Sequence, residues 1–226
     1  MVAHEFSQNA AGIVTGVVTT FFVLVLALAG ATLYQNYQDA SNNTTAEANA
    51  LTTLAQDSLA PVPGAGTGVR RAIANYVVAI ETRGFPAVRV ARLDPTTDPQ
   101  LSAVFSAVQR YRPVTTTQQA LYDAAVGELN QVVVDRENRV NSADGALPLA
   151  FLLLIVFTGV LRILTILLIT ADRRVVEALL VGAVAAVVGV GWLTVLLLEY
   201  PFSGSLSVSS GAYAHGLLAH LVALYR

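Results

Sequence analysis

Arg162 is the only charged residue between Leu147 and Ala171, near the middle of an otherwise apolar run. A guanidinium placed there costs about 2.5–3.5 kcal/mol on insertion scales, so it must face a protein interior, a carboxylate or a water-filled path. On a permeation path its chemistry is the attraction of anions. Paired with Glu177 or Glu199, or reaching to a lipid headgroup, it is a structural clamp. Those two glutamates flank the next apolar run. Glu177 follows Arg173 and Arg174 by about one helical turn, which is the spacing for neutralisation, and Glu199 adjoins Tyr200, a residue type at home at headgroup depth. Arg162, Glu177 and Glu199 are therefore the candidate permeation or buried charges, with a structural role as the alternative for each.

The remaining chemistry-bearing residue types are sparse. His4, His215 and His220 make no metal-ligand pattern: the last two are five apart, which sets them on different sides of a helix, and no acidic cluster accompanies them. There are no cysteines, so disulfides, thiolate nucleophiles and Cys-ligated metals are excluded. No G-x-S-x-G, H-E-x-x-H or phosphate-cradling glycine loop occurs. The expectation is a protein that is not an enzyme, with no catalytic residue, no metal and no cofactor. Glu47 and Glu81 would be catalytic only if they shared a pocket.

The elements that must position these residues are helical and mostly apolar. Of 226 residues 54% are hydrophobic and 12% charged, against about 25% charged in soluble domains. The apolar content falls in three blocks, each able to cross a hydrocarbon core of about 30 Å with roughly 20 helical residues. Transmembrane helix 1 is expected at about residues 10–34, helix 2 at 147–171 and helix 3 at 175–199. Ala27-Leu28-Ala29 mimics a signal-peptide cleavage site, but the first six residues offer His4 and Glu5 where a basic region is required, so retention as a helix is expected. Gly12 and Gly16 form a G-x-x-x-G pair; Ala178, Gly182 and Ala186 recur every fourth residue, with Ala185 and Gly189 in a parallel row. Such rows permit close helix packing.

Residues 39–146 read as a helical extramembrane domain. The first helix runs on past the bilayer until Pro61-Val62-Pro63-Gly64-Ala65-Gly66-Thr67-Gly68, a linker. A second helix, Val69 to about Arg83, carries Val69, Ile73, Tyr76 and Ile80 on one face and ends at Gly84-Phe85-Pro86. Thr97 is the expected cap of a third, whose stripe is Leu101, Val104, Phe105, Val108 and Tyr111. A fourth starts among Thr115, Thr116 and Thr117 and places Tyr122, Val126, Leu129, Val133 and Val140 on a heptad-like seam, with Arg136 in the remaining slot. The first helix, or its copies in other subunits, is the natural partner of that seam. Asp144-Gly145 and Pro148 mark the next boundary, and residues 200–226 form a C-terminal tail.

A net charge of −2 and the lack of arginine clusters interleaved with aromatics argue against nucleic acid as a partner. All thirteen basic residues are arginine, a bias typical of GC-rich bacterial coding. Positive-inside counting sets Arg173 and Arg174 against Arg136 and Arg139; taking the short arginine turn as cytoplasmic leaves the helical domain and the C-terminus extracytoplasmic.

The order of features resembles a known family. Tyr34-Gln35-Asn36-Tyr37-Gln38-Asp39-Ala40 with Ala46-Glu47-Ala48-Asn49-Ala50-Leu51, then Tyr76 and Glu81, then Arg136 and Arg139 before Leu147-Pro148, and finally Pro201-Phe202-Ser203-Gly204 with Leu206 and Val208, resemble the bacterial bestrophin-like membrane proteins. Pro201, Phe202, Ser203 and Gly204 are the most specific part. Thr82 stands where that family tends to have tryptophan, and its members often begin with one further hydrophobic segment. The resemblance implies an integral membrane protein whose link to bestrophin anion channels is nominal. The sequence thus leads to an all-α, multi-pass cell-membrane protein that assembles as a homo-oligomer in the lipid bilayer and passes ions, expected to be anions. The alternative is a non-conducting structural or sensory protein whose extramembrane helices bind a membrane or envelope protein.

Overall fold

The structure is a computed structural model that describes residues 2–57, 65–89, 98–143, 147–170, 175–203 and 207–226. Side chains are described outside 2–12, 14, 65, 165–170, 175–181 and 184. The expectations for Thr97, Pro61 to Gly64, Asp144-Gly145, Arg173-Arg174, Gly204 and Leu206 fall outside the described residues, as do those for the side chains of His4, Gly12, Glu177 and Ala178.

All described regular structure is helical. The order is α1 (Val2–Asp57), α2 (Ala65–Ala79), a π turn (Ile80–Gly84), α3 (Phe85–Val88), α4 (Asp98–Gln109), α5 (Thr116–Asn141), α6 (Leu149–Thr170), α7 (Val175–Glu199), a 3-10 turn (Ser210–Tyr213) and α8 (Gly216–Tyr225). The chain divides into two compact units, one of residues 1–35 and 145–199, the other of residues 36–144 and 200–226. α1 contributes its first part to one and its second part to the other.

In the first unit, Val25, Ala29 and Leu33 of α1 share a small core with Leu147, Ile155 and Val195. Most other large side chains are exposed, among them Leu24, Leu28, Phe157, Val160, Val187, Val190, Leu193 and Leu196. Thr15–Asp57 is the helix that, among the described residues, is long and apolar enough to cross a membrane; Leu149–Leu164 and Ala185–Glu199 are shorter apolar stretches with described side chains. Their backbones extend further, 22 residues in α6 and 25 in α7, or about 33 and 37 Å at 1.5 Å per residue.

The second unit has a conventional core. Ala40, Ala48, Leu51, Leu54 and Ala55 of α1 pack with Val69, Ile73, Tyr76, Val77 and Ile80, with Leu101, Val104 and Val108 of α4, and with Leu129 and Val132 of α5. The C-terminal tail belongs to this core through Phe202, Val208, Tyr213, Leu218 and Leu221. Thr115 caps α5 by accepting from the Gln118 backbone N–H while the Gln118 side chain returns to the Thr115 N–H, a reciprocal box.

Three local expectations change. α2 begins at Ala65, so Gly66 and Gly68 form its first turn instead of a linker. First-turn N–H groups lack intrahelical partners in any case, and the buried face of Val69, Ile73 and Tyr76 holds the helix in place. Gly84-Phe85-Pro86 does not end the helix, because Ile80–Gly84 widens into a π turn and Pro86 falls in the first turn of α3, where the missing N–H costs little. Finally, α5 buries Leu129, Val132, Asp135 and Arg139, an arc turned from the heptad seam by roughly a quarter turn at 100° per residue. Tyr122, Val126, Val133 and Val140 are half-buried beside it.

Candidate functional site

The second unit holds a polar cluster closed off from solvent. Arg139 donates from Nε to Glu47 Oε2 at 2.8 Å, and the Tyr76 hydroxyl donates to Glu47 Oε1 at 2.8 Å. Glu47 and Tyr76 are 0% exposed and Arg139 is 2% exposed. Removing two charges from water costs several kcal/mol per ion, which only a close, multiply bonded pair offsets. Tyr213, also fully buried, lies within electrostatic reach of the same carboxylate, but its hydroxyl makes no hydrogen bond of normal geometry among the described residues.

Phe85 is the apolar hub of this cluster. Phe202 and Tyr213 meet its ring edge-on at 5.9 and 6.0 Å, and Arg139 Cζ lies 5.4 Å from its centroid. The π turn that directly precedes Phe85 inserts an extra residue into the helical register, which turns everything after it relative to the α2 face. The tail delivers Phe202 from a tight loop in which Ser203 N–H donates to the Tyr200 carbonyl and Val208 N–H to the Pro201 carbonyl.

Electrostatics follow from burial. Desolvation, reinforced by the Glu47 charge, pushes the Tyr76 and Tyr213 hydroxyls well above the ordinary tyrosine value near 10. For Arg139 desolvation acts to lower the pKa, and the attraction of Glu47 outweighs it, so the guanidinium is held charged more firmly than usual. With no solvent contact at Glu47, the cluster ties α1 to α2 through Tyr76 and to α5 through Arg139. Glu81 lies in the π turn, half-exposed, and takes no part in it. Arg136 turns outward to Asp98 at the start of α4.

The first unit presents a different arrangement. Arg162 is half-buried, and its Nη1 is enclosed without a hydrogen-bond acceptor among the described residues. Trp192 Nε1 is enclosed and unpartnered in the same sense, and it lies against Gly159, where an added Cβ would stand 3.0 Å from it. Gly159 and Arg162 are three residues apart, hence on one face of α6. Two N–H donors without acceptors thus face one side of an apolar helix. Glu199 is 3% exposed and accepts from the Leu147 backbone N–H at 3.2 Å, so it ties the two ends of the 147–199 segment and forms no ion pair with Arg162.

Among the small residues, Gly16, Gly182, Ala186 and Gly189 are exposed within the single chain, and an added Cβ at each of the three glycines would meet nothing within 4 Å. Close packing inside the chain occurs at Gly159, against Trp192 and Phe22, and at Gly191, where an added Cβ would come within 2.8 Å of the tip of Leu26. Trp192, Gly159 and Gly191 were not singled out in the sequence. The signal was present: Trp192 is the only tryptophan in the chain, and it sits inside an apolar run.

Of the residues that carry the family resemblance, Glu47, Tyr76, Arg139, Phe202 and Val208 all enter the buried core of the second unit. No solved structure and no curated protein shows a significant match to the chain. A profile of the Bestrophin-like domain matches residues 2–213, nearly the full length, and by that match the chain belongs to the bestrophin-like family.

Proposed function

We propose that this bestrophin-like protein is a homo-oligomeric membrane channel that passes anions, with α1, α6 and α7 of each subunit as its three membrane spans. The observation that carries the reading is the enclosed, acceptor-free Nη1 of Arg162 in an apolar helix. A cation in that setting is stable only with a negative partner, and a passing anion is one. Trp192 Nε1 adds a neutral donor on the same side. Such donors replace part of an anion's hydration shell without the tight hold of a full charge, which is the balance that conduction requires.

Topology supports the reading from another direction. Residues 36–144 and 200–226 share one core, so the segment between them must leave and return on one face of the bilayer. A hairpin of two spans does so. With the short Arg173-Arg174 turn on the cytoplasmic side, the helical domain is extracytoplasmic. The open glycine rows at Gly182 and Gly189, and the half-exposed Tyr122, Val126 and Val133 of α5, are the surfaces available to a second copy. In this account the protein is not an enzyme and takes no cofactor.

Purified protein in planar bilayers tests this. The expected result is a steady current that Arg162→Ala reduces several-fold at unchanged protein incorporation. No current from wild type, or an identical current from Arg162→Ala, overturns the assignment and favours the non-conducting alternative, in which α5 holds a membrane or envelope partner protein.

A further inference from the structure

A second site lies in the extramembrane unit, in a groove between α2 and α4 with a volume of about 400 Å³. That is the size of a small-molecule pocket. Arg71 and Asn75 line it from α2, Arg110 and Tyr111 from the end of α4, over a floor of small residues that includes Ala72 and Ala107. Among the described residues no acidic side chain lines it, and neither Arg71 nor Arg110 forms an ion pair.

Both arginines and the Tyr111 ring are held by residues outside the groove lining. Arg71 Cζ rests 5.5 Å from the Tyr225 ring centroid. Arg110 donates from Nε to the Ser106 carbonyl at 3.1 Å, which fixes the stem and leaves its two Nη groups to point elsewhere. The Tyr111 ring stacks on Tyr122 at 6.3 Å, and its hydroxyl is enclosed with no hydrogen-bond partner among the described residues. Two guanidinium groups, both held before any ligand arrives, and an amide line one concavity. Preorganised donors of this kind bind without the usual cost of ordering side chains.

We propose that this groove binds a phosphate group, with Arg71 and Arg110 on its oxygens and the Asn75 amide completing the set. Two planar guanidinium forks supply more donors than one carboxylate can accept, and they match the geometry of phosphate oxygens. The phosphate belongs either to a soluble phosphate monoester or to an anionic lipid headgroup.

Titration of the full-length protein in detergent with inorganic phosphate and with glycerol phosphate, followed by calorimetry, tests the soluble source; native mass spectrometry with added phosphatidylglycerol or phosphatidylcholine tests the lipid source. Saturable binding of either phosphate, or retention of phosphatidylglycerol over phosphatidylcholine, is expected. Arg71→Gln and Arg110→Gln should each weaken it about tenfold or more, while Arg112→Gln, an exposed arginine outside the groove, leaves it unchanged. All three positions are exposed, and melting temperatures should match wild type. No binding of any of these probes, or an equal loss in Arg112→Gln, overturns the proposal. Channel currents do not enter this test, so its outcome is independent of the conduction assignment.

Discussion

Glu47 on α1 and Arg139 on α5 are 92 residues apart in sequence and form a 2.8 Å ion pair with essentially no solvent contact. Around it the second unit draws together the first helix, the α2 face through Tyr76, α3 through Phe85 and the tail through Phe202. A pair of this kind marks one arrangement of the helices as correct, since any slip leaves a charge buried and alone.

Removing one partner should therefore be severe. Glu47→Gln or Arg139→Met alone is expected to destabilise the second unit by about 3–5 kcal/mol. The double variant should recover a large part of that loss, because neither charge is then stranded. Denaturant unfolding of the four proteins as a double-mutant cycle measures the coupling. Additive losses would mean that the two residues act separately.

Alkaline pH should loosen the same unit. Tyr76 and Tyr213 have pKa values raised well above 10 in the folded state, so the folded protein keeps protons that the unfolded chain gives up. Their contribution is complete below pH 10 and is lost as pH rises from there through the folded values, at up to about 1.4 kcal/mol per pH unit for each tyrosine. Melting temperature against pH checks this. Tyr76→Phe should flatten the fall and should also cost about 1.5–3 kcal/mol at neutral pH for the lost bond to a charged carboxylate.

Phe202 of the Pro-Phe-Ser-Gly motif is 1% exposed and meets Phe85 edge-on. Phe202→Ala should cost about 3–5 kcal/mol as a cavity opens at the hub. Ser203→Ala, whose hydroxyl reaches only the Tyr200 carbonyl at 3.3 Å on the surface, should cost less than 1 kcal/mol. Equal losses in the two variants would show that the motif acts as a turn and not through its ring.

In the apolar unit, glycine substitutions should separate by position. Gly159→Ala forces its methyl group against the indole of Trp192 and should cost about 1–3 kcal/mol. Gly191→Ala meets only the mobile end of Leu26 and should cost less. Gly189→Ala points into open space within the chain, so a change there in detergent would register in oligomeric state, read by light scattering, before it registered in the melting temperature of the subunit.

The sequence made the helical class legible, because long apolar runs and helix-period stripes show in composition and spacing alone. The α2 face Val69, Ile73, Tyr76 and Ile80 was likewise readable, since a single helix period places all four in the core. The polar cluster was not. A heptad reading of α5 puts Arg136 on the seam, but burial is decided by the partner surface, and the presence of Glu47 turned α5 so that Arg139 points inward and Arg136 meets Asp98. The π turn was hidden as well, because Gly84-Phe85-Pro86 carries the same composition as a helix stop. Which glycines pack inside the chain was not readable either: rows of small residues mark where a helix can approach, and the positions used within the chain depend on where Trp192 and Leu26 lie.

The reversal potential under a tenfold potassium chloride gradient tests the proposed anion path at Arg162 and Trp192 most directly. Wild-type protein in planar bilayers should give a reversal potential near the chloride equilibrium value, and Arg162→Gln should move it toward zero. A wild-type reversal potential at zero or at the potassium value would contradict the account.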